Sequence, residues 1–240
     1  EIEFALGYSE PEAGSDLANL KVKAERKGDF YVVNGQKVFN TGCHFSQYVW
    51  LAARTDPSAS KHKGISLLIV DMKTPGITVS PLWVVDGERT NEVFYDDVKV
   101  PIENLVGEEN RGFYYILTAL AHERSFPVGN LRCTFEDFVD YIKEEGLGTD
   151  PLVQQSIAQL ATELQALHLL AYRVAWLLEK NAAPHWEAPM VKVYMTEFMR
   201  RFSGTAMEIM GPYGQLQKGS KCVPLKGRIE RLYRHAARRN

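Results

Sequence analysis

Hydrophobic and polar positions follow two different periods along this chain, and the change falls just after residue 100. From Phe30 onward, short runs rich in β-branched and aromatic residues recur between clusters of Gly, Pro, Asn and Asp. Such runs predict β-strands, because these side chains suit a pleated sheet and the clusters suit turns. The runs are FYVV, QKVF, YVWLAA, ISLLIV, ITVSPLW and EVFYDDVKV. This part of the chain is therefore predicted to be all-β.

The dipeptide Asn34-Gly35 lies between the first two of these runs. Asn-Gly readily takes the positive φ angles of a two-residue type I′ turn, so the sequence predicts a β-hairpin here. Side chains alternate with period two along a strand. Phe39 and Thr41 are therefore predicted on one face of the second strand of this hairpin, with Asn40 on the other.

After the Val100-Pro101 step the apolar period becomes helical. Helical spacing runs from about residue 112 to residue 145, with an interruption predicted at Pro127. A long helix is predicted from 151 to 181, because Asp150 suits its cap and Pro151 its first turn. Two further helices are predicted near residues 188–210 and 225–238, separated by a glycine-rich loop.

A run of strands followed by a run of helices is typical of an α+β chain. We expect a β-barrel-like domain over residues 1–105 and a helical bundle domain over residues 106–240. The chain starts without Met and ends without a polar tail, so we also expect it to be a piece of a longer polypeptide.

Composition excludes several classes of function. The net charge of −2 over 240 residues argues against a general polyanion binder, so no nucleic-acid partner is expected. No apolar run approaches the roughly 20 residues that cross a bilayer, and no export signal is present, so a cytoplasmic or organelle-matrix location is expected. Cys43, Cys133 and Cys222 lack the spacing of disulfide frameworks or metal sites, so we expect reduced thiols and no metal.

The common nucleotide and hydrolase motifs GxGxxG, GxxxxGK[ST], HExxH and GxSxG are absent from the sequence. The segment GYSEPEAGSD at residues 7–16 instead combines turn formers, hydroxyls and small residues. Such a segment suits close backbone approach to a ligand. Taken alone, it is more typical of a solvated loop.

This segment and those that follow carry a family resemblance. GYSEPEAGSDL, followed about fifteen residues later by GDFYVVNGQKVFNTG, resembles the middle-domain signature of acyl-CoA dehydrogenases. The similarity continues through ISLLIVDMKTPGITV and VFYDDVKVPIENLVGEENRGF and, more loosely, to MEIMGPYGQL and GRIERLYR, so it spans nearly the whole chain. The resemblance implies the β-barrel-like middle domain and an incomplete C-terminal four-helix bundle, without the N-terminal helical domain of the family.

The resemblance also implies a flavoprotein that binds FAD. An aromatic face beside the flavin ring and hydroxyl donors at its polar edge are what such a site requires. Read without the resemblance, Phe39 is as well explained as an ordinary barrel residue. Ser15 is implied to contact the substrate as well as the cofactor. The positions that match the family's flavin-binding residues are Tyr8, Ser9, Gly14, Ser15, Phe39 and Thr41.

Glu123 is the candidate catalytic base. It follows Ile116 and Leu120 at helical spacing, so it shares their apolar face, where a carboxylate is costly unless it has a purpose. The plain alternative is a partly exposed glutamate that pairs locally. The Ala-His-Glu-Arg stretch resembles the earlier of the two places where the family carries its base; the later place would fall after Asn240. Arg124 resembles a position near the CoA moiety, with a surface salt bridge as the alternative.

Together these features predict an oxidoreductase of lipid metabolism that dehydrogenates an acyl-CoA thioester, as in fatty-acid or steroid side-chain β-oxidation. Glu123 would remove the α-proton while the flavin accepts the β-hydride, and an electron-transfer flavoprotein would accept the electrons. A homo- or hetero-oligomer of similar subunits is expected. Two alternatives are a non-catalytic partner subunit of a heteromeric acyl-CoA dehydrogenase, and a flavin oxidase or monooxygenase of the same fold.

The chain departs from the family at the second half of the flavin site. The family carries Gln-x-x-Gly-Gly facing a neighbouring subunit's flavin, whereas this chain has Glu208 and Pro212 in the corresponding segment. The usual arginine for the flavin pyrophosphate is also missing near residues 143–149. A carboxylate at Glu208 would repel a pyrophosphate. We therefore expect the chain to bind FAD through its own middle domain but to offer its partner a poor second half-site. This pattern resembles members built from two different subunits, as in bacterial steroid or cholesterol side-chain degradation.

Overall fold

The computed structural model describes residues 2–123 and 128–238 and divides the chain into two compact units. The β unit comprises Glu1–Thr118 and the helical unit comprises Ala119–Asn240. The predicted division between residues 105 and 106 stays a prediction. Among the described helices, none combines the length and the apolar character that crossing a membrane requires.

The β unit contains one sheet, in which β1, β4, β2, β3, β7 and β6 are neighbours in that order and β5 pairs with β4. The pairings of β4 with β1 and β2 are parallel and the others antiparallel. Each predicted run contributes to a strand, whereas β1 and β2 were not predicted. The strands are β1 Phe4–Gly7, β2 Lys23–Lys27, β3 Phe30–Lys37, β4 Tyr48–Arg54, β5 Ile65–Asp71, β6 Ile77–Trp83 and β7 Arg89–Pro101.

The predicted hairpin at Asn34-Gly35 is wrong, because β3 runs through both residues. The two-residue turn lies earlier, at Gly28-Asp29, where Lys27 pairs with Phe30 and Gly28 has φ 62°. Gly35 instead lies at an irregularity in the β3–β7 pairing, so close to Val22 that an added Cβ would be 2.8 Å from its Cγ2. Gly35 therefore permits close packing inside the sheet and does not form a turn.

The predicted strand through residues 39–41 is also wrong. β3 ends at Lys37, and Phe39 has φ 58°, which is outside the β region. The predicted alternation of faces nevertheless holds in the side-chain exposure, since Phe39 and Thr41 are exposed and Asn40 is buried.

The chain enters its helices through a short 3₁₀ helix, Ile102–Asn104, and then α1, Gly112–Glu123. The remaining α-helices lie where the apolar periodicity predicts them, and the interruption predicted at Pro127 lies outside the described residues. They are α2 Val128–Glu144, α3 Pro151–Glu179, α4 Glu187–Met210 and α5 Arg228–Arg238. Further 3₁₀ helices are Leu17–Asn19, Leu147–Thr149, Gly211–Gln215 and Pro224–Gly227. The α+β prediction of a β domain followed by a helical domain is confirmed.

The start of α3 confirms its predicted cap. The Leu152 backbone N–H donates to Oδ1 of Asp150 over 2.8 Å, and Pro151 occupies the first turn. Inside the helical unit, α3 contributes Leu160, Leu164 and Leu167 to a core that is dominated by aromatic and aliphatic side chains from α2 and α4.

Candidate functional site

Two loops of the β unit lie side by side. The first loop, residues 8–16, follows β1, and the second loop, residues 38–46, connects β3 to β4. The Val38 backbone N–H donates to the Ser9 carbonyl over 2.9 Å, and the Asn40 side-chain amide donates to the Leu6 carbonyl. These bonds bring the segment containing Tyr8 and Ser9 next to the one containing Phe39.

Phe39 presents its ring to solvent from an uncommon backbone conformation. Its side chain is 61% exposed and its φ is 58°, in the left-handed region that large side chains rarely adopt. The Thr41 N–H donates to the Phe39 carbonyl over 3.0 Å, which holds the exposed Thr41 beside it. Strained conformations of this kind cluster at ligand sites. An exposed aromatic ring beside a hydroxyl can stack on a planar ligand and bond to its polar edge.

The first loop closes on itself before Gly14. Glu10 and Ala13 exchange two backbone hydrogen bonds of 3.1 Å, which form a tight turn around Pro11. Gly14 and Ser15 follow this turn and are both exposed. A Cβ added at Gly14 would meet no described atom within 4 Å, so the backbone there is open to an incoming molecule.

A buried ion pair lies at the base of the first loop. Nζ of Lys37 is 2.8 Å from Oε1 of Glu10, and the two side chains are 0% and 6% exposed. Burial lowers the pKa of Lys37 to about 8, although the charge of Glu10 opposes this shift. Our sequence reasoning missed this pair. Counting by two from Tyr31 and Val33 places Lys37 among the inward positions of β3, and that signal could have found it.

Asn91 on β7 anchors the second loop from the other side. It is fully buried, and its side-chain amide lies 2.8 Å from the Asn40 carbonyl, to which it donates, and 3.2 Å from Nδ1 of His44. The Asn40 N–H donates in turn to the Asn91 carbonyl over 3.0 Å. Sequence reasoning missed Asn91 as well, because an asparagine beside a strand carries no distinguishing pattern.

The second loop also contains Cys43, whose thiol is buried. Burial raises the pKa of Cys43 to about 12, so the thiol stays protonated at neutral pH. Cys133 and Cys222 are exposed and free. Because the thiolate is the reactive form, burial disfavours nucleophilic chemistry at Cys43.

The predicted base lies at the end of α1. The helix Gly112–Glu123 contains the fully buried Ile116 and the half-buried Leu120, in agreement with the predicted apolar face. Glu123 is the last residue of this helix, and its side chain is not among those described. Arg124 lies outside the described residues. The roles of Glu123 and Arg124 therefore remain predictions.

Glu208 near the end of α4 lies in an environment of mixed charge. It lines an open groove of about 540 Å³ between α3 and α4, together with Arg200, Arg201 and Glu163. Arg201 forms a 2.8 Å ion pair with Glu163. The groove therefore contains two arginines besides the carboxylate that sequence analysis emphasised, and both arginines form ion pairs with glutamates.

Comparison with known proteins covers nearly the whole chain. The family model described as the acyl-CoA dehydrogenase middle domain matches residues 5–98, and the one described as the acyl-CoA dehydrogenase C-terminal domain matches residues 110–238. Acyl-CoA dehydrogenase FadE29 of Mycobacterium tuberculosis is 44% identical over 223 residues, which cover 89% of this chain and 57% of that protein.

Two solved structures share the fold closely. The Tcur3481-Tcur3483 steroid ACAD superposes with a TM-score of 0.94 at 36% identity, covering 99% of this chain and 63% of that one. The ChsE4-ChsE5 complex from Mycobacterium tuberculosis gives a TM-score of 0.88 at 35% identity, covering 99% of this chain and 64% of that one. This chain thus spans 57% to 64% of the length of these three proteins.

Proposed function

The chain belongs to the acyl-CoA dehydrogenase family, and on this premise we propose that it binds FAD through its two β-unit loops and dehydrogenates an acyl-CoA thioester. The observation that carries the proposal is the pairing of the two loops. Backbone bonds place Ser9 beside Val38, and the exposed ring of Phe39 follows directly. Sequence positions thirty residues apart thus form one continuous surface.

The residues on this surface fit a flavin. The exposed Phe39 ring offers a face for the isoalloxazine, and the Ser9 and Thr41 hydroxyls offer hydrogen bonds to its polar edge. The open backbone at Gly14 leaves room for close approach. Ser15 is exposed on the same loop, whereas the side chain of Tyr8 is buried. When bound, FAD supplies the acceptor for the β-hydride of the thioester, which is chemistry that side chains cannot provide.

The chain's own contribution to the reaction is the removal of a proton. The α-proton of a thioester is too weakly acidic for an ordinary solvated carboxylate to remove quickly. Glu123 accepts this proton at a carboxylate oxygen, and an apolar surrounding would raise its pKa toward the operating pH. Arg124 binds the CoA moiety through its positive charge, and Ser15 contacts the substrate from the first loop.

The partners follow from the same reasoning. Electrons leave the reduced enzyme for an electron-transfer flavoprotein, and the functional assembly is an oligomer of similar subunits. The likeness to the Tcur3481-Tcur3483 steroid ACAD and the ChsE4-ChsE5 complex supports pairing with a different subunit and a bulky, ring-containing acyl group.

A second candidate is a non-catalytic partner subunit of the same fold. Glu208 and Pro212 favour it, because a carboxylate and a ring without an N–H are poor groups for binding a neighbour's pyrophosphate. Glu123, at a position that resembles the family's earlier catalytic base, favours the catalytic role instead. We therefore propose the catalytic role first.

The test is anaerobic flavin reduction of the full-length protein co-expressed with its neighbouring subunit, using straight-chain and steroid-derived acyl-CoA thioesters. We expect bleaching of the flavin absorbance, which Glu123→Gln abolishes while the flavin stays bound. Glu136→Gln, which changes an exposed side chain on α2, is the matched control and should bleach normally. Unchanged bleaching in Glu123→Gln would place the base elsewhere, and protein without flavin would support the partner role.

A further inference from the structure

The pair Glu10–Lys37 is the most deeply buried charge pair among the described residues, and the proposed chemistry does not use it. Lys37 is 0% exposed and Glu10 is 6% exposed. Removing two charges from water is unfavourable, and their attraction offsets this only with good geometry and further hydrogen bonds. Such a pair contributes little net stability, so we look for its role in the backbone segments that its two side chains bind.

The polar side-chain atoms of the pair contact three segments of the chain, which are the first loop, the residues entering β2 and the end of β3. Oε2 of Glu10 accepts from the Lys21 backbone N–H over 2.6 Å, and Oε1 accepts from the Val22 N–H over 3.0 Å. Nζ of Lys37 donates to the Glu10 Oε1 and, over 2.9 Å, to the Tyr8 carbonyl. The pair thus ties the first loop to the residues entering β2 and to the last residue of β3.

These contacts fix the residues that would meet the flavin. Lys37 immediately precedes Val38, whose N–H donates to the Ser9 carbonyl, and Phe39 leaves the strand two residues after Lys37. The ion pair therefore fixes the position of Tyr8, on the first loop, relative to Phe39, on the second loop. A site held to within about 0.5 Å by locked neighbours binds better than one held by mobile loops.

We propose that Glu10 and Lys37 are positioning residues that lock the two flavin-binding loops in register from beneath. This inference rests on the proposed function, since it concerns the same site. Lys37 has no exposed surface and cannot touch a cofactor or substrate, so it acts through Tyr8 and Phe39. A pair of apolar residues of similar size would fill the space but would offer no directional bonds to the Tyr8 carbonyl or the Val22 N–H.

The test compares Lys37→Met with two control variants in the full-length holoprotein, measuring the FAD dissociation constant and the visible circular dichroism of the bound flavin. Val33→Ala removes core packing on the same strand, where Val33 is fully buried, and controls for loss of stability. Glu25→Gln breaks an exposed ion pair with Lys27 on β2, outside both loops. Deuterium exchange of peptides covering residues 8–16 and 38–46 reports loop opening independently of FAD.

We expect Lys37→Met to raise the FAD dissociation constant at least about tenfold and to alter the flavin dichroism, with both controls staying within about twofold of the wild type. Exchange in both loops should accelerate only in Lys37→Met. Lys37→Arg, which keeps the positive charge, should recover part of the affinity. If Lys37→Met does not accumulate as folded protein, Glu10→Gln is measured by the same criteria. The new amide NH₂ group in Glu10→Gln is a donor, so it cannot accept from the backbone N–H that the replaced carboxylate oxygen binds.

A Lys37→Met protein that binds FAD no more weakly than Val33→Ala, with the wild-type dichroism, would overturn the positioning role and leave the proposed function intact. A wild-type protein that binds no FAD would overturn the proposed function and this inference together. The two failures are therefore distinguished by the wild-type measurement alone.

Discussion

Buried polar side chains of the β unit bond to residues far away in the sequence, whereas the buried hydroxyls of the helical unit bond within their own helix. In the β unit, the hydrogen bonds of Lys37 and Asn91 join residues that are 29 and 51 positions apart. In the helical unit, the buried Ser203 and Thr196 donate to carbonyls of their own helix, and the core consists of residues such as Phe138, Phe198 and Phe202.

This difference follows from how helices and loops satisfy their backbone hydrogen bonds. A helix satisfies its own backbone, so helices pack through apolar stripes that need no directional bonds. A loop has no such internal ladder, so its conformation depends on local turns and on bonds to other segments. The two loops of the β unit are therefore sensitive to single polar substitutions that barely change the apolar volume, and the helical unit is sensitive to lost volume.

The largest expected effect is a loss of stability in the helical unit without a matching loss of FAD binding. Phe138→Ala should lower the free energy of unfolding by about 3–5 kcal/mol, because Phe138 is fully buried and packs 5.8 Å from Phe202, centroid to centroid. Denaturant titration followed by circular dichroism measures this loss. The exposed Leu169→Ala should stay within about 0.5 kcal/mol. If Phe138→Ala also weakened FAD binding by folded protein as much as Lys37→Met does, the contrast between the units would fail.

The second expected effect is a pH dependence confined to the β unit. The pKa of Lys37 is about 8 in the folded chain and near 10.5 when unperturbed, so between these values the unfolded chain binds more protons. The unfolding free energy should rise with pH in this window by at most about 1.4 kcal/mol per pH unit. Glu10 also interacts with Arg54 and Lys21, which remain in the Lys37→Met variant.

The measurement is the difference in unfolding free energy between the wild type and Lys37→Met at several pH values from 7 to 10.5. Titration of the groups common to both proteins cancels in this difference. A difference that stays constant with pH would show that Lys37 keeps an ordinary pKa in the folded chain.

A smaller effect is expected from the other anchor of the second loop. Asn91→Ala removes the donor to the Asn40 carbonyl and should cost about 1–3 kcal/mol of stability, because the carbonyl is left without that bond. The exposed Asn19→Ala is the matched control and should be nearly neutral. Thermal unfolding of both variants distinguishes them. Equal melting temperatures for the two variants would show that Asn91 is not an anchor.

The smallest effect is expected at a helix end. Asp150→Ala removes the oxygen that accepts from the Leu152 N–H and should cost about 1 kcal/mol. Asp150→Asn keeps an acceptor oxygen and should lose only a few tenths of that amount. Denaturant titration resolves the pair. An Asp150→Asn loss equal to that of Asp150→Ala would mean that the charge, and not the hydrogen bond, stabilises α3.

Local signals were sufficient wherever one residue type or one period decides the structure. The cap at Asp150 and the α3 stripe of Leu160, Leu164 and Leu167 followed from the sequence, because propensity and periodicity act within a few residues. The prediction of a turn at Asn34-Gly35 failed, because the same dipeptide also suits an irregularity inside a strand. The pairing of β3 with β7 decided between the turn and the irregular strand.

For the candidate site, the sequence determined which residue types and motifs are present, and through them the family, the two loops and the candidates Ser9, Phe39 and Thr41. Only the tertiary structure decided how the loops are joined, since Glu10, Lys37 and Asn91 act through contacts with residues far away in the sequence. The period of a strand shows which side chains point inward, but not which distant carbonyl or carboxylate will meet a buried ammonium. That depends on strand order and register, which are set by the packing of the whole sheet.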